Sequence, residues 1–237
     1  DSYVLASFDS FAREEIVYLP QAEPGAFYQK GQRLDAQKTE GGYYVKAAME
    51  PFSLENITFC REDAGASASP FSIDLEKREA VTPVYELAWN AGGQLTRIFD
   101  RVHRRNVLKD GALGNVLELY EDKPLSDDAW NVDSFYTEKM CILDASPEVT
   151  LEEVGELLAR LRFTYRFGDS SVEQDMILYR DSLRIDFDTR VHWEESHKLL
   201  KTAFYTDIRS VKASYDIQFG YAERPTHANT SWERAKF

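Results

Sequence analysis

Between residues 183 and 193 the side chains alternate in character. Leu183, Ile185, Phe187 and Val191 can lie on one side of an extended chain, and Arg184, Asp186 and Asp188 on the other. A period of two is the repeat of a half-buried β-strand. The same alternation runs through Phe52-Ser53-Leu54-Glu55-Asn56-Ile57-Thr58-Phe59, Tyr85-Glu86-Leu87-Ala88-Trp89 and Gln94-Leu95-Thr96-Arg97-Ile98-Phe99-Asp100. The last two are joined by Asn90-Ala91-Gly92-Gly93, a hairpin turn. Many short strands at near-regular spacing fold as a β-sandwich, so the chain reads as all-β.

Two β regions are expected, residues 1–80 and 81–237. In the first, Tyr3-Val4-Leu5-Ala6-Ser7-Phe8, Glu15-Ile16-Val17-Tyr18-Leu19 and Tyr43-Tyr44-Val45-Lys46-Ala47 read as strands, with turns at Pro24-Gly25 and Gly41-Gly42. The small, polar run from Asp63 to Pro70 is the linker candidate. In the second, Val172–Tyr179, Lys198–Tyr205 and Tyr215–Phe219 continue the strand series. Residues 149–161 carry a helix signal, because Thr150 followed by Glu153 resembles a capping box. The strand Arg162–Phe167 and the strands before it favour β here as well.

The 28 basic and 41 acidic residues give a net charge of −13. That argues against nucleic acid, which needs clustered Lys and Arg, and against anionic membrane surfaces. A neutral ligand such as a sugar is unaffected. Cys60 and Cys141 lie far apart and make neither a metal-ligand spacing nor a dense disulfide framework, for which a reducing, cytoplasmic compartment is the simplest reading and one long-range disulfide the alternative. No apolar run has the length of a transmembrane helix. The chain opens on Asp1 and ends on Phe237, in what reads as the start of a further strand; it is read as a piece of a longer polypeptide.

Two stretches carry candidate chemistry. At the C-terminal end Arg224, His227, Asn229 and Trp232 offer a cation, an imidazole, an amide and an indole. Such groups suit a sugar, whose hydroxyls take planar donors and acceptors and whose C–H face takes an aromatic ring. The plainer alternative is a polar loop fixed by Pro225, with Trp232 in the core. Residues 121–139 mix acids and aromatics without a strand or helix period. A long irregular loop of that kind is often functional; the alternative is a solvated acidic loop anchored by Trp130. Asp128 and Asp133 in this loop are the least arbitrary choice of a carboxylate pair. The four histidines, His103, His192, His197 and His227, show no convergent metal spacing. Phosphate-binding glycine motifs and nucleophile elbows are absent from the sequence.

Several ordered motifs resemble the C-terminal β region of family 38 glycoside hydrolases, the retaining α-mannosidases. They are Leu95-Thr96-Arg97-Ile98-Phe99-Asp100, Gly114-Asn115-Val116-Leu117, Glu121-Asp122-Lys123-Pro124 with Asp128-Ala129-Trp130, and Leu183-Arg184-Ile185-Asp186-Phe187-Asp188. His197-Lys198-Leu199-Leu200-Lys201 and, above all, Glu223-Arg224-Pro225-Thr226-His227 with Asn229-Thr230-Ser231-Trp232 complete the set. The likeness is strongest from about residue 84 and closest to the bacterial, fungal-vacuolar and animal cytosolic branch. It departs from the family pattern at Ala228 and Glu233.

This resemblance implies a small β-sandwich followed by a larger antiparallel one of the galactose-mutarotase-like type, which in the family continues past Phe237. It implies that Asp128, Trp130, Arg224, His227 and Asn229 contribute to substrate binding, with no catalytic and no metal-ligating residue in this piece. The nucleophilic aspartate, the acid/base and a divalent metal, zinc, belong in the family to an N-terminal catalytic domain. The implied partners are a mannose-containing oligosaccharide, that N-terminal domain and, in an oligomer, further copies of the chain. A free-standing carbohydrate-binding module is the alternative function; a mutarotase-type enzyme rests on fold analogy alone.

Overall fold

A computed structural model describes residues 1–62, 68–143 and 146–234, the last without its side chain. Residues 63–67 of the linker candidate and the C-terminal Phe237 lie outside the described residues. The chain is all-β: every strand pair among the described residues is antiparallel, and the strands form six sheets.

The first two sheets enclose one core. Ser2–Ala6, Leu54–Cys60, Ala26–Gln29 and Gln32–Arg33 form one sheet; Arg13–Leu19, Gly42–Met49 and Ala36–Thr39 form the other. Leu54–Cys60 buries every second residue, and its inward Ile57 and Phe59 meet Leu19, Phe27, Tyr43 and Val45. Phe27 stacks at a tilt or edge-on against both Tyr43 and Phe59, with centroids 5.2 Å apart in each case. Phe52, read from its alternation as strand, has φ +46° and sits in the turn before it.

The second core is larger. A five-stranded sheet built from Ser72–Asp74, Glu79–Val81, Tyr85–Trp89, Leu95–Asp100 and Arg105–Asn106 provides one part of its lining. A four-stranded meander, Glu148–Val154, Leu158–Phe167, Ser170–Tyr179 and Ile185–His192, provides another. Leu87, Trp89, Leu95 and Ile98 from the former pack with Leu161, Phe163, Tyr165, Met176 and Leu178 from the latter. Burying a side chain of this size stabilises by roughly 1.5–3 kcal/mol. The expected hairpin at residues 90–93 is present: Asn90 Oδ1 accepts from Gly92 N and Gln94 N, and Gly93 takes φ +78°.

Residues 149–161 are β, as the flanking strands suggested. Glu148–Val154 pairs with Leu158–Phe167, with a register shift between Leu151 and Glu153. The capping-box resemblance has no counterpart, because the Thr150 hydroxyl donates to Glu152. Of the apolar side of the strand around residues 183–193, Ile185 and Phe187 pack on the core, whereas Leu183 and Val191 are exposed.

The two cores are joined side by side. Gln37 reaches from the first body into the hairpin turn of the second, where its Oε1 accepts from Leu157 N and Leu158 N, both at 2.9 Å. Its Nε2 donates to Glu153 at 2.8 Å. Arg180 pairs with Asp35, Lys46 with Asp181, and Arg160 donates to the Tyr44 hydroxyl.

Two smaller sheets complete the fold. Met140–Ile142, Val116–Glu121 and Lys198–Ala203 form one; Lys212–Ile217 and Gly220–Pro225 form a hairpin. Leu117 and Leu200 carry the three-stranded sheet onto the second core.

Candidate functional site

Residues 122–139 leave the strand Val116–Glu121 at its C-terminal end and return to Met140–Ile142 beside it. The period is absent because the backbone is irregular, as the mixed sequence implied. Asp127, at φ +55°, turns the chain so that its carbonyl accepts from Trp130 N at 2.7 Å and Asn131 N at 2.9 Å. Asp133 Oδ2 accepts from Leu125 N at 2.8 Å and closes the loop. A 3-10 helix, Ser134–Glu138, follows and was not foreseen in the sequence.

This geometry assigns the loop's residues different roles. Trp130 is 90% exposed and anchors nothing; in residues 122–139 only Tyr136 is buried. Asp128 is exposed and lies 3.8 Å from His197 Nδ1. Asp133 serves the loop backbone, so the carboxylates paired in the sequence reading have separate partners.

Tyr136 is held from below. On the strand Val116–Glu121, Glu118 and Tyr120 share one face, and Lys201 is the register partner of Glu118. Glu118 is 4% exposed and accepts from the Tyr120 hydroxyl at 2.6 Å and from the Tyr205 hydroxyl. Lys201 Nζ donates to the Tyr136 hydroxyl at 2.9 Å and lies 5.6 and 5.3 Å from the Tyr120 and Tyr136 ring centroids. Burial and the bond to Glu118 push the Tyr120 phenol well above its ordinary pKa; the same carboxylate, then burial, raises Tyr205.

The C-terminal stretch is a hairpin rather than a strand followed by a polar loop. Phe219, at φ +63°, and Gly220 turn the chain, and Gly220–Pro225 pairs along Lys212–Ile217. Arg224 therefore sits on a strand, paired with Ala213, and is exposed. The turn was hidden by polar residues on a strand that buries almost nothing. His227 and Asn229 lie just beyond it, both exposed. Trp232, expected in the core in the plainer reading, is 83% exposed.

A helical turn, Ser231–Arg234, ends the described chain. Thr230 and Glu233 form a reciprocal capping box: Glu233 N donates to Thr230 Oγ1 and Thr230 N to Glu233 Oε2. The Thr-x-x-Glu spacing was legible in the sequence and would have located this turn. His227 Nδ1 lies 3.1 Å from Glu233. Burial alone would raise the Glu233 carboxyl; the Thr230 amide, the His227 charge and the Thr230 hydroxyl outweigh it and hold the carboxyl below the usual range.

Asp128 and Trp130 thus stand on one exposed stretch, and Arg224, His227 and Asn229 on another; the former is tied to His197, the latter to Glu233. Separately, a solvent-open cleft of about 310 Å3 lies where the two bodies meet, lined by Glu14, Lys46, Leu157, Tyr179, Asp181 and Arg184. Its cations are neutralised locally, Lys46 by Glu14 and Asp181, Arg184 by Asp186. Among the described residues no three His, Cys, Asp or Glu side chains converge as metal ligands would. Cys60 and Cys141 are free and exposed. No described helix is long and apolar enough to cross a membrane.

The model of the glycosyl hydrolases family 38 C-terminal domain matches residues 81–237. The chain belongs to glycosyl hydrolase family 38. Among relatives of this family-38 chain, Alpha-mannosidase G of Dictyostelium discoideum is 40% identical over 154 residues, covering 62% of this chain and 14% of that protein. Alpha-mannosidase 2C1 of Homo sapiens is 36% identical over 147 residues, covering 61% of this chain and 14% of that protein. The match therefore spans about one seventh of the length of these relatives. The crystal structure of an alpha-mannosidase from Enterococcus faecalis V583 shares the fold, with a TM-score of 0.69 at 12% identity, over 98% of this chain and 34% of that one.

Proposed function

We propose that the chain is the C-terminal, non-catalytic β region of a retaining α-mannosidase and forms one wall of the pocket in which terminal α-D-mannose is hydrolysed. In this reading the carboxylate nucleophile, the acid/base and the zinc ion reside in an N-terminal domain outside the chain. Arg224 and Asn229 donate to sugar hydroxyls, Trp130 offers its ring face, Asp128 accepts from a hydroxyl, and His227 orients the terminal segment through Glu233. The N-terminal domain is the first partner, a mannose-containing oligosaccharide the second, and a homo-oligomer of the whole polypeptide the third. The cytoplasm is the proposed compartment, in keeping with two free, exposed thiols.

The observation that carries the reading is a pair of uncovered polar–aromatic stretches, the 122–139 loop and the C-terminal hairpin, on a family-38 chain. Trp130, Trp232, Phe219, Tyr221 and Val211 are between 69% and 109% exposed, and the hairpin bearing Arg224 buries almost none of its side chains. A lone two-stranded hairpin is marginal in water, and exposed aromatics of this density mark contact surfaces.

The test uses the full reading frame. Arg224→Ala and Trp130→Ala in the complete polypeptide should raise KM for an aryl α-mannoside about ten- to a hundredfold, with kcat reduced much less. The 237-residue chain alone, supplied with zinc, should give no turnover. Unchanged KM in both variants sinks the pocket-wall assignment. The exposed Trp130 and Trp232 also admit a carbohydrate-binding module; calorimetric titration of the chain with mannose separates the readings, since a module binds at millimolar concentration or better.

A further inference from the structure

We propose that Lys201 is a positioning residue for the 122–139 loop: lying against the edge-on ring pair of Tyr120 and Tyr136, it holds the loop's only buried side chain and so sets where Asp128 and Trp130 stand. Its functional consequence rests on the pocket-wall reading above; the geometry does not.

Residues 122–139 contribute no strand, and their internal bonds are short-range, from Asp127 to Trp130 and Asn131 and from Asp133 to Leu125 and Tyr136. Bonds of that kind shape a loop without fixing it to the body. The attachments at its ends are the bond from Asp122 N to the His197 carbonyl and that from Glu121 N to the Lys139 carbonyl. Between them the loop meets the fold at the exposed Asp128, 3.8 Å from His197 Nδ1, and through the 3-10 helix that carries its buried Tyr136. The Tyr136 ring packs edge-on against Tyr120, with centroids 5.1 Å apart, and its hydroxyl accepts from Lys201.

Lys201 is in turn committed to this position. It faces Glu118 across the ladder, and that buried carboxylate already takes two phenol hydroxyls, from Tyr120 and Tyr205. The Tyr120 ring is thereby held upright beside the ammonium. A cation beside both rings of an edge-on pair, also donating to one hydroxyl, fixes both the angle and the depth of the Tyr136 ring. A neutral side chain of the same length would retain the packing and lose the direction. Glu118, Tyr120 and Tyr205 form the base of this clamp and Lys201 its contact.

Hydrogen exchange read by mass spectrometry on the 237-residue chain tests this. Lys201→Met should speed exchange of amides in peptides covering 122–139 by roughly tenfold, the population ratio that one charge-assisted hydrogen bond governs. Peptides from Leu158–Phe167 and Ser170–Tyr179 should be unchanged, and Lys201→Arg should restore protection of the loop. Tyr136→Phe, which removes only the hydroxyl, gives the same local result and decides the matter if Lys201→Met fails to fold. Unchanged exchange in 122–139, or acceleration spread equally over core and loop, overturns the proposal. In the full polypeptide, Lys201→Met should raise KM while sparing kcat. If it does not, although loop exchange responds, the clamp stands and the pocket-wall reading fails.

Discussion

Replacing Gln37 with Ala removes the most buried of the side chains that join the two bodies. Gln37 is 4% exposed, and its single amide oxygen accepts from the adjacent Leu157 and Leu158 amides. Both donors are buried, and no strand partner is free to take them over. Orphaning a buried N–H costs about 1–3 kcal/mol, so Q37A should destabilise by roughly 2–6 kcal/mol, with about 4 as the central expectation. The lost bond to Glu153 adds little, since that carboxylate can turn to water. A domain of this kind has only about 5–15 kcal/mol in total. Gly155 sharpens the point: a Cβ built there would overlap the Gln37 side chain and push it off these bonds. The assay is urea unfolding followed by two probes. Tryptophan fluorescence reports the second body, since Trp89, Trp130, Trp193 and Trp232 all lie outside the first, and hydrogen exchange of peptides from Gly42–Met49 and Leu54–Cys60 reports the first. The wild-type probes should coincide; in Q37A the transition of the first body should shift to lower urea, ahead of the tryptophan one. A loss below about 1 kcal/mol with coincident transitions would refute the idea that these two amides depend on Gln37.

Three further outcomes follow from the same geometry. Asp175 is 4% exposed and bonded to Arg160 and Arg162. Burial alone would raise its carboxyl, yet the two guanidinium groups hold it below the ordinary carboxylate range. A depressed folded value stabilises above the unfolded one and is lost as pH falls through the folded one, so the loss begins below about pH 4. Asp175→Asn should cost about 3 kcal/mol at neutral pH, the low end for a broken buried pair because both arginines are partly exposed, and should flatten the acid limb of an unfolding titration. Gly93→Ala should cost about 2 kcal/mol or more in thermal unfolding, since φ there is +78° and a Cβ would overlap the Tyr165 hydroxyl. Trp130→Ala and Arg224→Ala should leave unfolding within about 0.5 kcal/mol of wild type, because neither side chain is buried. A larger loss would make them structural residues and remove the reason to assign them to a ligand.

The alternation within Leu54–Phe59 was sufficient to read a strand, because it buries one face and its own spacing records which, whereas Leu158–Leu161 carried a helix signal and was read as β only from the neighbouring strands. The same test failed on Gly220–Pro225, which buries neither face and so leaves no period in the sequence. The candidate residues were legible as residue types, and their exposure agrees with a surface role. Their supports were not. That Trp130 stands free while Tyr136 is the anchor depends on which aromatic the chain turns towards the ladder.

By itself, then, the order of side chains determined an all-β, antiparallel chain of family 38, since period and turn residues act over a few neighbours and survive without knowledge of the whole. Tertiary structure alone decided that Gln37 would meet residues 120 positions away, and that Lys201 would close over Tyr136. Contacts of that kind are selected by the burial and pairing of groups brought together from distant stretches, and no local pattern along the chain encodes them.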